Sequence, residues 1–153
     1  MRQRVEGAQV RDRFGFLLKH ARERLSAISG PALIPTGING RELAVLTVLV
    51  QGEPPSQLEA AQRLGIDRST MVTLIDELEA KGLVERRPDG VDRRRNIVAL
   101  TSRGRKTMAA AIEIVDAAER EFLGALSAQD AKRFREMLQA VTFAEAHRAR
   151  PPK

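Results

Sequence analysis

Two capped helical segments joined by a very short turn constrain the fold of this chain more than any other feature. Ser56 followed by Glu59 is a capping box, in which the hydroxyl accepts from a first-turn amide and the carboxylate reaches back to the first amide. Gly65 can end that helix in the left-handed conformation, and Asp67 can cap the next helix. The spacing predicts a helix–turn–helix within residues 56–82.

The second helix of this pair has an apolar face and a polar face. Side chains at helical spacing predict a buried stripe made of Met71, Leu74, Ile75 and Leu78. The opposite face is small and hydroxylated in its N-terminal half, and acids such as Asp76 come only later. A helix that inserts its N-terminal end into the major groove of DNA has this polarity, because acids there would repel phosphates. The candidate DNA contacts in this region are Ser56, Arg68, Ser69, Thr70 and Thr73.

A basic β-hairpin is predicted directly after these helices. Apolar segments near residues 83–84 and 97–100 flank a Pro-Asp-Gly sequence that suits a tight turn. Residues 83–106 carry eight Lys or Arg against three acids, a net +5 out of the chain's formal +6. Alone, this segment could be a solvated charged turn, but after a helix–turn–helix it indicates a winged helix–turn–helix. Its tip supplies further candidate contacts to the minor groove and to phosphates: Asp92, Arg93, Arg94 and Arg95.

Composition argues against several other functions. The chain has no cysteine, and its two histidines, His20 and His147, match no metal-ligand spacing. It shows no nucleophile–base spacing and no Gly-rich phosphate loop, so we expect neither an enzyme nor a bound cofactor. The lack of Trp and Tyr disfavours stacking on single strands. A polar N-terminus and a longest apolar run of only residues 43–50 predict a cytoplasmic protein without a membrane partner.

Amphipathic helices are predicted on both sides of the winged helix–turn–helix. One lies in the first thirty residues, before a loop rich in Gly and Pro, and a second begins at the Asn39–Glu42 cap. After the hairpin, Thr101 caps a long helix and Ser127 begins a last one. The expected fold is mainly α with a small β-wing. Residues 1–30 and 102–148 would form a helical dimerisation region, 41–101 the DNA-binding region and 149–153 a frayed tail.

The outer helices carry more apolar surface than a winged helix of this size needs. They could fold back and complete a monomeric core, or the terminal helices of two chains could interlock. We favour the dimer, because two recognition helices about 34 Å apart can read successive turns of one duplex. The stripes expected at the interface include Leu17 and Leu25 near the start of the chain and Phe134, Leu138 and Val141 near its end.

The order of these elements and several short motifs resemble the MarR family of bacterial and archaeal transcription regulators. The matching segments are residues 58–70 (LEAAQRLGIDRST), 78–86 (LEAKGLVER), 92–95 (DRRR) and 100–104 (LTSRG). The resemblance implies a homodimer that binds a near-palindromic operator in double-stranded DNA, often as a repressor. It also implies that Asp92 and Arg94 form the family's wing element, in which the carboxylate would hold the guanidinium extended toward the minor groove.

A small-molecule effector is implied by the same resemblance. Family members are usually released from DNA by a small, often aromatic or phenolic anion, in pockets that commonly use Tyr, Trp or His with an Arg. Tyr and Trp are absent here, so the candidate effector ligands are His20 and Arg24, one helical turn apart. His20 could equally be an ordinary half-exposed helix residue. The alternative function is a dimeric winged-helix DNA-binding or scaffolding protein without an effector.

Overall fold

The computed structural model of this protein describes residues 10–52, 55–88, 90 and 96–144. The predicted fold, mainly α with a small β-wing, is confirmed. Its helices are α1 (Phe14–Leu33), α2 (Gly40–Leu49), α3 (Gln57–Leu64), α4 (Arg68–Ala80), α5 (Ser102–Phe122) and α6 (Ala128–Thr142). Strands β1 (Val84–Pro88) and β2 (Asn96–Leu100) form an antiparallel pair between α4 and α5.

The predicted helix starts are confirmed by their caps. Asn39 and Ser56 each complete a capping box, at α2 and α3 respectively. Single side-chain caps begin the later helices: Asp67 for α4, Thr101 for α5 and Ser127 for α6. These bonds involve groups within three residues of one another, which is why the sequence alone could predict them.

The core lies between α2, α4 and the two strands. The stripe predicted on α4 is confirmed, since Met71, Leu74, Ile75 and Leu78 are all buried. Helical spacing on α3 predicts an apolar stripe of Leu58, Ala61 and Leu64. The prediction was wrong at Leu58, which is exposed, whereas Ala61 is buried and Leu64 is half-buried. Ala60 is buried too, and the two small alanine side chains suit a helix that packs closely on its neighbours.

The first helix extends further than the sequence predicted. We expected a break from Gly30 onward, yet α1 continues through Pro31 to Leu33. A proline disfavours helical geometry in the preceding residue through a clash that involves that residue's Cβ, and Gly30 has none. The end comes instead at a 3-10 turn, Ile34–Thr36, followed by Gly37 with a positive φ of 75°.

The junction between the wing and α5 is a close backbone contact. A Cβ built on Gly104 would lie only 1.9 Å from the carbonyl oxygen of Leu83, so glycine alone fits there. Thr101 supports the same junction, because its amide donates to the Leu83 oxygen at 3.0 Å and its hydroxyl donates to the Gly82 oxygen at 2.8 Å. The start of α5 is thereby held against the residues that connect α4 to β1.

Helix α6 leaves its apolar side uncovered. None of its residues is buried, and an ion pair at 2.8 Å between Arg135 and Glu119 connects it to α5. The exposed apolar side chains at the two ends of the described chain include Phe14, Leu17 and Leu18 on α1 and Phe134, Met137, Leu138 and Val141 on α6. Within the single chain, these apolar side chains are left uncovered. Within the part of the chain that the structure describes, no helix is both long and apolar enough to cross a membrane.

Candidate DNA-binding surface

The N-terminus of α4 is organised by the carboxylate of Asp67. One carboxylate oxygen accepts from the amide of Thr70 at 2.9 Å, and the other accepts from the Thr70 hydroxyl at 2.6 Å. The Ser69 hydroxyl also donates to this carboxylate. These bonds, above all those from the Ser69 and Thr70 hydroxyls, hold the pKa of Asp67 well below its usual range. Asp67 therefore stays ionised at neutral pH and keeps both hydroxyls ordered.

The hydroxyl hydrogens on this helix are committed to the protein. Besides the bonds to Asp67, Thr73 donates its hydroxyl hydrogen to the backbone oxygen of Ser69 at 3.1 Å. A hydroxyl that donates inward can still accept on its remaining lone pairs. Ser69 and Thr73 are exposed, so they can present acceptor oxygens to an approaching molecule.

The sequence-predicted contacts on α4 lie together, while Ser56 plays a local role at another helix. Arg68, Ser69 and Thr73 are exposed and Thr70 is half-buried beside Asp67. Ser56 begins α3, where its oxygen accepts from the Glu59 amide at 3.3 Å and its own amide donates to the Glu59 carboxylate at 2.7 Å. It takes no part in the hydrogen bonds around Asp67.

Arg41 is a surface residue next to α4 that sequence reasoning missed. It lies in the first turn of α2 and is exposed. Two adjoining depressions, of about 380 and 370 Å³, share Arg41, Thr70 and Leu74 among their lining residues. The second of them also reaches Ser69 and Thr73. The Asn39 cap in the sequence placed Arg41 at the start of a helix, but only the packing of α2 beside α4 brings it to this surface.

The two strands of the wing are confirmed, with the register Val84↔Leu100, Arg86↔Val98 and Pro88↔Asn96. Apolar side chains at the base of the hairpin, including Leu83, Val84 and Val98, are buried and anchor it to the core. The predicted contacts at the tip, Asp92, Arg93, Arg94 and Arg95, lie outside the described residues, and their roles stay predictions.

One wing arginine is directed into the protein. The guanidinium of Arg86 donates to the carboxylates of both Asp76 and Glu79 on α4, and its backbone amide donates to Glu79 Oε1 at 3.2 Å. The hydrogen bond to Asp76, together with the charges of Glu79 and Asp76, raises the pKa of Arg86. Arg86 contributed to the basic charge counted for this segment, but two acids neutralise it.

The two candidate effector ligands each have local partners on the helical surface. His20 packs against Phe16, with ring centroids 4.1 Å apart, and its Nδ1 lies 3.0 Å from Glu23 Oε2. The guanidinium carbon of Arg24 lies 6.0 Å from the centre of the Phe122 ring, which is within cation–π range. Phe122 and Leu25 line a small apolar depression of about 120 Å³ between α1, α5 and α6. Arg24 therefore contacts a ring that lines this depression.

Comparison with known proteins identifies relatives in one class. A family model described as "MarR family" matches residues 36–95. The transcriptional regulator HosA of Escherichia coli O127:H6 is 33% identical over 98 residues, which cover 64% of this chain and 73% of that protein. A MarR-family transcriptional regulator from Rhodococcus sp. RHA1 has a similar structure, with a TM-score of 0.79 and 34% identity over 89% of this chain and 96% of that one.

Two further solved structures are described as CouR. CouR from Rhodococcus jostii RHA1, bound to p-coumaroyl-CoA, is 35% identical with a TM-score of 0.76, over 86% of this chain and 93% of that one. The transcriptional repressor CouR bound to a 23-mer DNA duplex matches with a TM-score of 0.78 and 30% identity over the same shares of the two chains.

Proposed function

This chain belongs to the MarR family of DNA-binding transcriptional regulators, and from that premise we propose that it is a homodimeric repressor of a near-palindromic operator. The observation that carries the proposal is the N-terminal end of α4, where exposed and ordered hydroxyls lie next to Arg41 and Arg68, neither of which forms an ion pair within the described residues. The first turn of α4 holds no acid, as entry of its N-terminal end into a major groove requires.

Hydrogen-bond direction defines what the face would read. Ser69 and Thr73 donate inward, so toward bases they act as acceptors, and the amino groups of adenine N6 and cytosine N4 are the matching donors in the major groove. Arg68 and Arg41 flank these hydroxyls and would bind phosphates. Ser56, at the start of α3, is proposed as a further backbone contact.

The wing would add contacts in the adjacent minor groove. Arg94 enters the groove, Asp92 holds it extended, and Arg93 and Arg95 bind phosphates, as the family resemblance implies. The buried base of the hairpin supports this role, because it fixes where the tip leaves the protein. A narrow minor groove attracts guanidinium groups most strongly at A·T-rich sequences.

Dimerisation is supported by the uncovered apolar side chains at both ends of the chain. Leu138 and Phe134 on α6 and Leu17 on α1 are each more than a third exposed in the single chain. Burial against a second copy would remove this surface from water and place two copies of α4 on one duplex. The proposed dimerisation region thus comprises α1, α5 and α6.

Repression and release are proposed from two of the similar structures and from one feature of this chain. One similar structure is described as the transcriptional repressor CouR bound to DNA, and another as CouR from Rhodococcus jostii RHA1 bound to p-coumaroyl-CoA. In this chain the depression next to Phe122 offers an apolar floor, with Arg24 over the Phe122 ring as a cation. An aromatic carboxylate or phenolate matches that chemistry, with His20 as the second candidate ligand one turn away.

The interface is tested by selecting bound duplexes from a random library and from genomic fragments. We expect enrichment of two inverted half-sites whose centres are one helical turn, about 10 base pairs, apart or a multiple of it. Arg94→Ala should then weaken binding to the selected duplex by about 1–3 kcal/mol, whereas Arg133→Ala on exposed α6 should change it little. A single unpaired half-site would refute the dimeric operator, and equal effects of the two substitutions would refute the wing contact.

The effector is tested separately. Aromatic acids and their CoA thioesters are screened for a rise in melting temperature and for release of the selected duplex, in wild type and in Arg24→Ala. Release by a compound that no longer acts on the variant supports the assignment. Duplex binding that no compound alters would favour the alternative, a dimeric DNA-binding protein without an effector.

A further inference from the structure

The C-terminal half of α4 carries acids on the side that the proposed function turns toward DNA. Asp76 is exposed and follows Ser69 and Thr73 along the same face, at the spacing of two helical turns from Ser69. Glu79 is half-buried one turn further along. Carboxylates brought close to phosphates would oppose binding, so this helix needs a means of neutralising them.

Arg86 on β1 supplies that neutralisation. Its two terminal nitrogens bind different carboxylates, Asp76 through Nη2 and Glu79 through Nη1. The backbone amide of Arg86 also donates to Glu79, so the strand itself is attached to the helix. Among the described residues, no other Lys or Arg forms an ion pair with these two acids.

The neighbouring arginine has a different environment. Alternate residues of β1 point to opposite sides, and Arg87 is exposed while Arg86 is half-buried. The two adjacent residues have the same charge, but only one of them covers acids on α4. This makes Arg87 a matched control for the loss of one positive charge from the same strand.

We propose that Arg86 is a positioning residue for DNA binding, which masks the charges of Asp76 and Glu79 and holds β1 against α4 without contacting DNA itself. The inference rests on the proposed orientation of α4 toward the major groove. Removal of Arg86 changes the local charge by one unit and also uncovers two carboxylates. Its loss should therefore cost more affinity than the loss of Arg87, although Arg87 is the more exposed of the two.

The test is a cycle of substitutions measured by fluorescence anisotropy on the selected duplex. Arg86→Gln in the wild-type background should raise the Kd about tenfold, and Arg87→Gln by clearly less. In an Asp76→Asn/Glu79→Gln background, Arg86→Gln should change the Kd less than twofold, because no charge remains to be masked. A phosphate-contacting Arg86 would instead cost affinity in both backgrounds, and that result would overturn the proposal.

Three further measurements make the result interpretable. Arg86→Lys retains the charge but cannot bridge both acids with a planar fork, so its Kd should lie between those of wild type and Arg86→Gln. Thermal melts of every variant show whether a change in Kd reflects unfolding, and a folded Arg86→Gln that binds like wild type would refute the proposal. Arg68→Ala tests the orientation of α4 independently: unchanged binding there would refute the proposed interface, whatever the cycle shows.

Discussion

Lys81 Nζ lies 2.6 Å from Glu42 Oε1 and thereby connects the end of α4, the proposed recognition helix, to the start of α2. The Glu42 side chain is only 1% exposed, and its other oxygen accepts from the Asn39 amide at 2.9 Å. Lys81 also donates to the Gly37 oxygen at 2.9 Å. One buried carboxylate thus joins the cap of α2 to the residue that ends α4, which sets the position of α4 relative to the rest of the domain.

The first prediction concerns this ion pair. Lys81→Met should lower the free energy of unfolding by about 1–3 kcal/mol, because it leaves a buried charged acceptor without its partner. Lys19→Met is the control, since the pair of Lys19 with Glu23 is exposed, and it should change stability by no more than about 0.5 kcal/mol. Urea unfolding measures the free energy of unfolding of both variants. Equal losses would contradict the claim that the Lys81–Glu42 pair stabilises the fold more than an exposed pair does.

The second prediction concerns the contact between α5 and Leu83. Gly104→Ala should destabilise the protein by about 3 kcal/mol or more, since the new Cβ would overlap backbone that cannot move without displacing the wing. Gly40→Ala, where a Cβ meets open space, should be neutral within about 1 kcal/mol. Thermal melts compare the two variants. A Gly104→Ala protein as stable as wild type would mean that α5 does not lie against Leu83.

The third prediction separates base contacts from phosphate contacts. Thr73→Val removes a hydroxyl from the exposed face of α4 and should change which duplexes are selected while leaving the fold intact. Arg68→Ala and Arg41→Ala should weaken all duplexes alike and reduce the slope of log K against log salt by about one unit each. Salt titrations and repeated selections measure this. If Arg68→Ala changes which duplexes are selected and Thr73→Val does not, α4 must face DNA with a different rotation.

The fourth prediction concerns the pH dependence of stability through Asp67. Its pKa is lower in the folded protein than the ordinary value of 3.8, so folding favours the ionised form. The resulting stabilisation is fully present above that ordinary value and is lost as the pH falls toward the lower folded value. Asp67→Asn should therefore be less stable than wild type at pH 7, and the difference should narrow below pH 3.8. Melting temperatures of the two proteins across this pH range measure the difference in stability. A difference that does not change with pH would contradict the contribution of the ionised Asp67.

The fifth prediction concerns the dimer. Leu138→Glu places a charge on the exposed apolar side of α6 and should halve the mass seen by light scattering at micromolar concentration. Operator binding should weaken as well, although the residue is not in the proposed DNA interface. Gln139→Glu adds the same charge on the opposite side of α6 and should leave both unchanged. A wild-type mass near one chain would refute the dimer directly.

Features that depend on neighbouring residues could be predicted from the sequence. The capping boxes at Asn39 and Ser56, the left-handed end of α3 at Gly65 and the buried stripe of α4 are all as expected. These features follow from hydrogen bonds between residues close in sequence or from the periodicity of a helix. They can therefore be predicted without the tertiary structure. The family motifs lie in the same region, so the fold and the class of function could be inferred together.

Features that join distant parts of the chain needed the tertiary structure. Arg86 counted as free basic charge until packing placed it against Asp76 and Glu79, and Arg41 became part of the candidate DNA surface only because α2 lies beside α4. Helix α1 also runs through Pro31, although propensity predicted a break there. Helix propensity is weak compared with packing, and Gly30 has no Cβ to clash with the proline ring. The sequence by itself determined which elements form and which charges the chain carries. The packing of those elements decided which charges remain available to DNA, because pairing between residues far apart in the chain depends on where the helices and strands meet.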